Sequence, residues 1–470
     1  MKHLSLLKGA VAATSLAPLA ALAGGFELPD NGARAVGRGG ATAVGAVDLT
    51  AAHYNPAMLA PQATKLSAMW HHNLVFHEST FTRAPLAEGW GPAYGGARSD
   101  AVSDAETLFP LGAFVSLGSS FGLKDTMFAL SAYGPSSVGK QDWPSYGPQS
   151  FMMTEADLLL MYYSASAAWQ APSGDFGVGV TLQYVDMPKM QYELVLDSDA
   201  SGTLTPVPED TTAGSTTTQL AGKLDLKDRA GGTAIVGAFW RPLPQLQLGL
   251  SGRVVPIKLE AEGGVILDKP ELSPEGLTVK LPLTMPMQAR GGVRWVDASF
   301  DLELDVFWEN WSVIERYDVS MDGEINGLPV DDLVIEKQWS DTVSVRLGGD
   351  LRVVPDVLDL RAGGFWENGA APNDYSHIDF PSFDRVGLGG GLTYHLGHLG
   401  APGFAVSAAY MHIFQEDRDV SEAHGKTFQQ RPLTPCPDEC GGFSGVVANA
   451  GRFETSFDIV SVGLDYRWVD

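Results

Sequence analysis

A chain of 470 residues has room for two or three soluble domains or for one large barrel. Its formal net charge of −25 argues against nucleic acid or an anionic surface as a recognised target, since both would repel it. Hydrophobic residues make up 44% of the chain, yet beyond the N-terminus no stretch keeps about 18 uncharged apolar residues together, which excludes helical membrane spans.

Residues 1–23 carry Lys2 and Lys8, an apolar run through Leu22, and the small-residue close Ala21-Leu22-Ala23. That order is expected of a cleaved export signal whose apolar run is too short to span a bilayer. Residues 24–60 follow, rich in Gly and Ala and without strand alternation. They contain Asn55-Pro56-Ala57, where proline sets φ and asparagine can bond its own backbone, so a rigid turn is expected.

From about residue 65 the polarity alternates with period two. Strands are predicted at 65–77, 106–119, 125–137, 154–170, 174–196, 220–241, 245–267, 276–297, 299–321, 338–354, 357–368, 382–396, 401–419 and 452–468. Short joints, such as 121–124, 171–173 and 297–298, alternate with long ones, such as 79–104, 197–219 and 420–451. An even count of about fourteen, with short turns at one end and long loops at the other, is the signature of an all-β transmembrane antiparallel barrel. In the last strand Val460, Val462, Leu464, Tyr466 and Trp468 share one face, and Ser461, Gly463, Asp465 and Arg467 the other. One face then meets lipid and the other a polar lumen, and the sheet must close because an open edge in hydrocarbon leaves backbone groups unpaired. Trp70, Trp143, Trp240, Trp295 and Trp468 lie near strand ends, as interfacial girdles require. Trp468 is followed by Val469 and Asp470, a two-residue tail beyond the aromatic strand end.

Three local features interrupt this pattern. Tyr133-Gly134-Pro135 falls inside the third predicted strand, and a proline that cannot donate to the ladder predicts a kink there or the end of the strand. The only cysteines, Cys436 and Cys440, sit in one short exported loop, so a disulfide is expected; no further ligands lie close enough to complete a metal site. The run Gly387–Gly397 lacks a following helix and reads as barrel packing rather than a nucleotide loop. His71 and His72 point to opposite faces, and no nucleophile–base pair stands out, so neither metal, cofactor nor catalysis is expected.

The N-terminal elements Gly25-Phe26, Gly37-Arg38 and Asn55-Pro56-Ala57, in that order behind an export signal, resemble the FadL/TodX family of outer-membrane transporters for long-chain fatty acids and aromatic hydrocarbons. The resemblance implies a hatch at residues 24–60 folded into a barrel at 61–470. Phe26, Arg38, Asn55, Pro56 and Ala57 would form its gate, and Arg34 and Arg38 would find inward carboxylates. It implies that Tyr133, Gly134 and Pro135 open the wall sideways towards the membrane. Basic residues of the fifth and ninth strands hold the ligand carboxylate in fatty-acid members. The corresponding positions here fall near Asp186 and Asp318, with Lys189 and Arg316 close by, so a neutral hydrophobe is favoured over an anion. The expected function is passive uptake of small hydrophobic molecules through a Gram-negative outer membrane, by a monomer in contact with lipid and lipopolysaccharide. An open general porin and a barrel hydrolase are the alternatives.

Overall fold

Strands of alternating polarity can satisfy their backbone in lipid only by pairing until the last meets the first, and this chain does so. The computed structural model describes residues 28, 31–84, 102–135, 139–145, 147–197, 219–268, 274–325, 327–430 and 443–468. The expected export signal, Phe26 and the Cys436–Cys440 pair lie outside the described residues.

Fourteen antiparallel strands close the barrel. They are β1 (Ser67–Arg83), β2 (Val102–Ser119), β3 (Thr126–Tyr133, resumed at Lys140–Asp142), β4 (Glu155–Gln170), β5 (Phe176–Asp197) and β6 (Gln219–Leu243). Next come β7 (Leu246–Arg253 and Ile257–Leu267), β8 (Pro274–Met285 and Gln288–Val296), β9 (Asp301–Glu309 and Arg316–Ile325) and β10 (Leu333–Glu336 and Thr342–Val354). The last four are β11 (Leu358–Glu367), β12 (Arg385–His395), β13 (Phe404–Gln415) and β14 (Gly451–Arg467). β1 pairs with β14 from Ser67↔Arg467 to Arg83↔Gly451, which seals the seam. Among the described residues no helix is long and apolar enough to cross a membrane.

The alternation has a physical counterpart in exposure. On the first half of β9, Leu302, Leu304 and Val306 point outward, each 50% exposed, while Asp301, Glu303 and Asp305 are buried inside. On β14, Val460, Val462 and Leu464 face out and Ser461 faces in. Trp70, Trp240, Trp295 and Trp468 are exposed at the short-turn end, with Trp169 beside them. Trp143 is buried and takes no part in the exposed girdle.

Three predicted strands are broken where continuous ones were expected, and the tenth is preceded by a separate segment in what was read as a loop. β7 and β8 interrupt at Pro256 and Pro286, neither of which can donate to a ladder. β9 interrupts at a 3₁₀ turn, Trp311–Val313, and β10 between Glu336 and Thr342. Beyond these breaks the polarity of the wall inverts. On β9, Tyr317 and Val319 are now inside while Arg316 and Asp318 are outside; on β7, Ile257, Leu259 and Ala261 are inside while Lys258, Glu260 and Glu262 are outside. The short-turn half is thus apolar outside and polar within, and the long-loop half is the reverse.

Candidate functional site

The polar half of the lumen holds the N-terminal segment. Its short helices α1 (Ala33–Gly37) and α2 (Ala51–Tyr54) and the 3₁₀ turn Pro56–Gln62 bury nearly every side chain. α1 packs on β11 to β14 and β1, whereas the 3₁₀ turn packs on β3 to β6, so the segment reaches opposite walls. Wall glycines permit that approach. A β-carbon at Gly348 or Gly363 would overlap the Arg38 carbonyl, and one at Gly179 would overlap Pro56.

Carboxylates of β9 and β10 grip this segment. Arg38, fully buried, donates to Asp301, Glu303 and Asp350, each at 2.7 Å. Burial alone would lower its pKa, but the fields of Asp350, Glu303 and Asp301 more than reverse this and hold the charge. Arg34 pairs with Asp350 as well. Asp305 accepts the backbone N–H groups of Thr42 and Ala43, and Glu303 those of Val44 and Gly45. Asn55 caps the 3₁₀ turn by accepting from the Ala57 N–H at 3.2 Å. Its amide donates to the carbonyls of Ala43 at 2.7 Å and Ala238 at 3.3 Å, tying the turn to β6. Pro56 sits in the first turn, where no intrahelical donor is needed, and Ala57 is buried beside it. The carbonyl of Tyr54 accepts from Ser251 at 2.6 Å and Arg290 at 3.0 Å.

Above this ionic layer lies an apolar chamber. Phe151, Met153, Leu160, Met187, Met285 and Trp311 belong to one buried cluster that fills it. A cleft between Tyr192, Leu281, Tyr317 and Phe380 holds about 30 Å³. A buried charged cluster enters the chamber. Lys337, at the break in β10, donates to both Asp379 oxygens at 2.8 and 2.7 Å and lies 5.1 Å from the centre of the Tyr317 ring. His377 lies 2.8 Å from the same carboxylate, so the lysine is neutralised within its own cluster.

Where chamber and ionic layer meet, an aromatic group faces the wall. Tyr133 stacks on Phe114 with ring centres 4.3 Å apart and meets Tyr162 edge-on at 5.5 Å. His53 of α2 approaches the same ring at 5.3 Å. Burial, with Arg290 and Arg253 nearby, lowers the His53 pKa well below its ordinary 6.5 and keeps the ring neutral. Here β3 stops at Tyr133, and its ladder with β2 comprises five pairs that end at Val115↔Ala132. β3 remains bonded to β4 through Tyr133↔Tyr162 and again from Lys140↔Asp157. Gly134 is tightly enclosed, since a β-carbon there would overlap the Leu160 carbonyl.

The four charged positions expected beside the ligand lie elsewhere. Arg316 and Asp318 pair with each other at 2.8 Å on the exposed outer face. Lys189 pairs with Asp157 at 2.5 Å, and Asp186 lies 3.9 Å from the exposed Arg229. Both belong to the outer side of β5, whose inward residues are Val185, Met187 and Met190. The resemblance carried these positions over by strand, and the inversion of wall polarity leaves their side chains on the outer side. Lys337, Asp379, Tyr192 and Tyr317 were missed; Lys337 shares the inward face of Leu333 and Ile335, in a stretch that was read as a loop.

Comparisons with known proteins agree with this architecture. Residues 14–438 match the family described as outer membrane protein transport protein (OMPP1/FadL/TodX). A chain of Neisseria meningitidis serogroup B named as an outer membrane protein is 25% identical over 183 residues, 38% of this chain and 35% of that one, so the match spans about a third of the relative. A Pseudomonas aeruginosa FadL homologue superposes with a TM-score of 0.73 at 17% identity, over 95% of this chain and 100% of that one. The Pseudomonas putida toluene transporter TodX gives 0.60 at 14% identity over 89% and 94%. The Ralstonia pickettii toluene transporter TbuX gives 0.60 at 14% over 94% and 100%. With its closed fourteen-stranded wall and a family match across most of its length, this chain belongs to the OMPP1/FadL/TodX family of outer-membrane transport proteins.

Proposed function

We propose that this protein is a passive channel for small uncharged hydrophobic molecules, which enter the apolar chamber and leave sideways between β2 and β3. The observation that carries the reading is the end of the β2–β3 ladder at Val115↔Ala132, at the height where Phe114, Tyr133 and Tyr162 line the lumen. A molecule in the chamber meets buried ion pairs below it and a gap in the ladder beside it. Crossing the ionic layer would desolvate charges for no return, whereas the sideways route stays apolar throughout. Capture is favourable because each buried CH₂ contributes roughly 0.8 kcal/mol.

In this reading residues 24–60 act as a hatch, with Arg38, Asn55, Pro56 and Ala57 holding it closed. That makes an open general porin the weaker account. An uncharged substrate is favoured because the chamber's lysine is already paired to Asp379, and the toluene transporters TodX and TbuX share the fold. The cleft beside Phe380 holds about 30 Å³, so that side chain must part before a ligand is held there.

The test is uptake of a radiolabelled aromatic hydrocarbon by cells expressing Pro135→Val. Restoring an N–H at position 135 should let β3 continue along β2 and slow uptake at least several-fold, with surface expression unchanged. Gly134 is left in place because a side chain there would strike Leu160. Uptake at the wild-type rate would count against a sideways exit.

A further inference from the structure

The outer wall below this gap carries a shallow, open groove. It measures about 620 Å³ and runs across the lipid-facing side of β2 to β5. Its sides are Leu117, Leu130 and Leu182, the three most protruding residues of this stretch, with Tyr163 and Tyr184 beside them. Its floor is formed by small outward residues, Ala132 and Ala165. Behind the floor stand equally small inward ones: Ser116 and Ser131 bond to each other at 2.8 Å, and Ser164 accepts from Gln183 at 3.2 Å. Small side chains thus line both faces of the wall here, between the aromatic group of the lumen and the bilayer.

Position gives the groove its meaning. Val115 and Ala132 line it, and they are also the last rung of the β2–β3 ladder. The groove starts where the ladder gives out and descends into the apolar belt of the barrel. No lining residue carries a charge, so it has no feature that would select an anion or a cation. We infer that this groove is a binding site for the transported molecule itself, an uncharged apolar compound that rests there after passing the gap and before dispersing in the membrane. The inference rests on the sideways-exit reading. Its occupant is the cargo rather than a bilayer acyl chain, because the groove is continuous with the gap through which cargo emerges. A purely lipid-filled hollow gains nothing from ending at that rung.

Two measurements test it. Filling the floor with Ala132→Phe and Ala165→Phe should lower uptake of the labelled hydrocarbon about tenfold, while surface expression and the heat-modifiable gel mobility of the purified barrel stay unchanged. Separately, a fluorophore on Ala165→Cys should be quenched by a brominated hydrocarbon in lipid vesicles at concentrations several-fold below those needed at Leu304→Cys, which faces lipid on a distant strand. Equal quenching at the two positions would show ordinary lipid contact and overturn the inference. Wild-type uptake by the filled groove would also overturn it; if Pro135→Val still blocked uptake, the sideways exit would stand without the groove. Loss of effect in both variants would remove both readings together.

Discussion

Arg38 of the N-terminal segment and Glu303 of β9 meet at 2.7 Å with both side chains wholly excluded from solvent. A buried cation of this kind is worth little as a pair but a great deal as a lock, because taking away one partner strands the others. Removing a single partner from a buried network typically costs about 3–5 kcal/mol.

Arg38→Met should therefore release the segment while leaving the barrel closed. Asp301, Glu303 and Asp350 would lose their common partner, though Arg294 and Arg361 still serve two of them. Planar-bilayer recordings should show a conducting channel, matching the effect expected from deleting residues 24–57. Arg38→Lys should be intermediate, since one ammonium cannot reproduce the three-way guanidinium contact. Conductance unchanged in both variants would mean that the segment does not close the pore.

A second lock is steric. Gly363→Val would push against the Arg38 carbonyl from the wall, with no change in charge. The expected result is the same rise in conductance and faster cleavage of the segment by added protease, with gel mobility of the barrel retained.

His53 gives the closed state a pH dependence. Its pKa is lowered in place relative to about 6.5 when freed, so above that value both forms are neutral and the segment is fully held. As pH falls below about 6.5 the freed histidine binds protons and the buried one does not, and docking weakens until the buried pKa is reached. Conductance should rise as pH drops from 7 to 5, and His53→Phe should flatten that rise. A rise of equal size in His53→Phe would assign it to another group.

The Lys337–Asp379 pair should behave as a unit. Lys337→Met or Asp379→Leu alone leaves a buried charge and should loosen the chain around Asp379, read as faster hydrogen exchange over residues 373–383. The double variant should recover most of the lost protection, which additive single effects would not.

Arg316→Ala with Asp318→Ala should leave hydrocarbon affinity within a factor of about two, because an exposed pair contributes under ~1 kcal/mol and faces away from the lumen. Tyr317→Ala, one residue along and inside, should weaken binding severalfold by opening the chamber wall.

That contrast shows what the sequence could convey. Strand positions on β12, β14 and the first half of β9 were legible because lipid outside and polar groups inside impose a strict period of two. The N-terminal segment was legible as a piece without alternation, and its Arg34 and Arg38 did meet inward carboxylates. The long-loop half was misread because the rule reverses above the membrane: water bathes the outside, the chamber needs apolar walls, and Arg316 changes sides relative to Asp305. Pro256 and Pro286 marked two of the changeovers and could have been used. The breaks near Trp311 and Lys337 carry no such mark, so Lys337 and Asp379, distant in sequence, could be joined only in the folded barrel.

The route itself can be read most directly by photolabelling. A diazirine-bearing aromatic hydrocarbon, cross-linked to the protein in lipid vesicles and mapped by mass spectrometry, should mark Phe114 and Tyr133 inside and Leu130, Tyr163 or Leu182 outside. Labelling should be sparse around the wide polar vestibule at the short-turn end, which spans about 810 Å³ and is lined by Asp48, Arg352, Asp359 and His395. Adducts concentrated in that vestibule, with none beside the β2–β3 gap, would show that cargo runs straight through the barrel and would contradict the sideways exit.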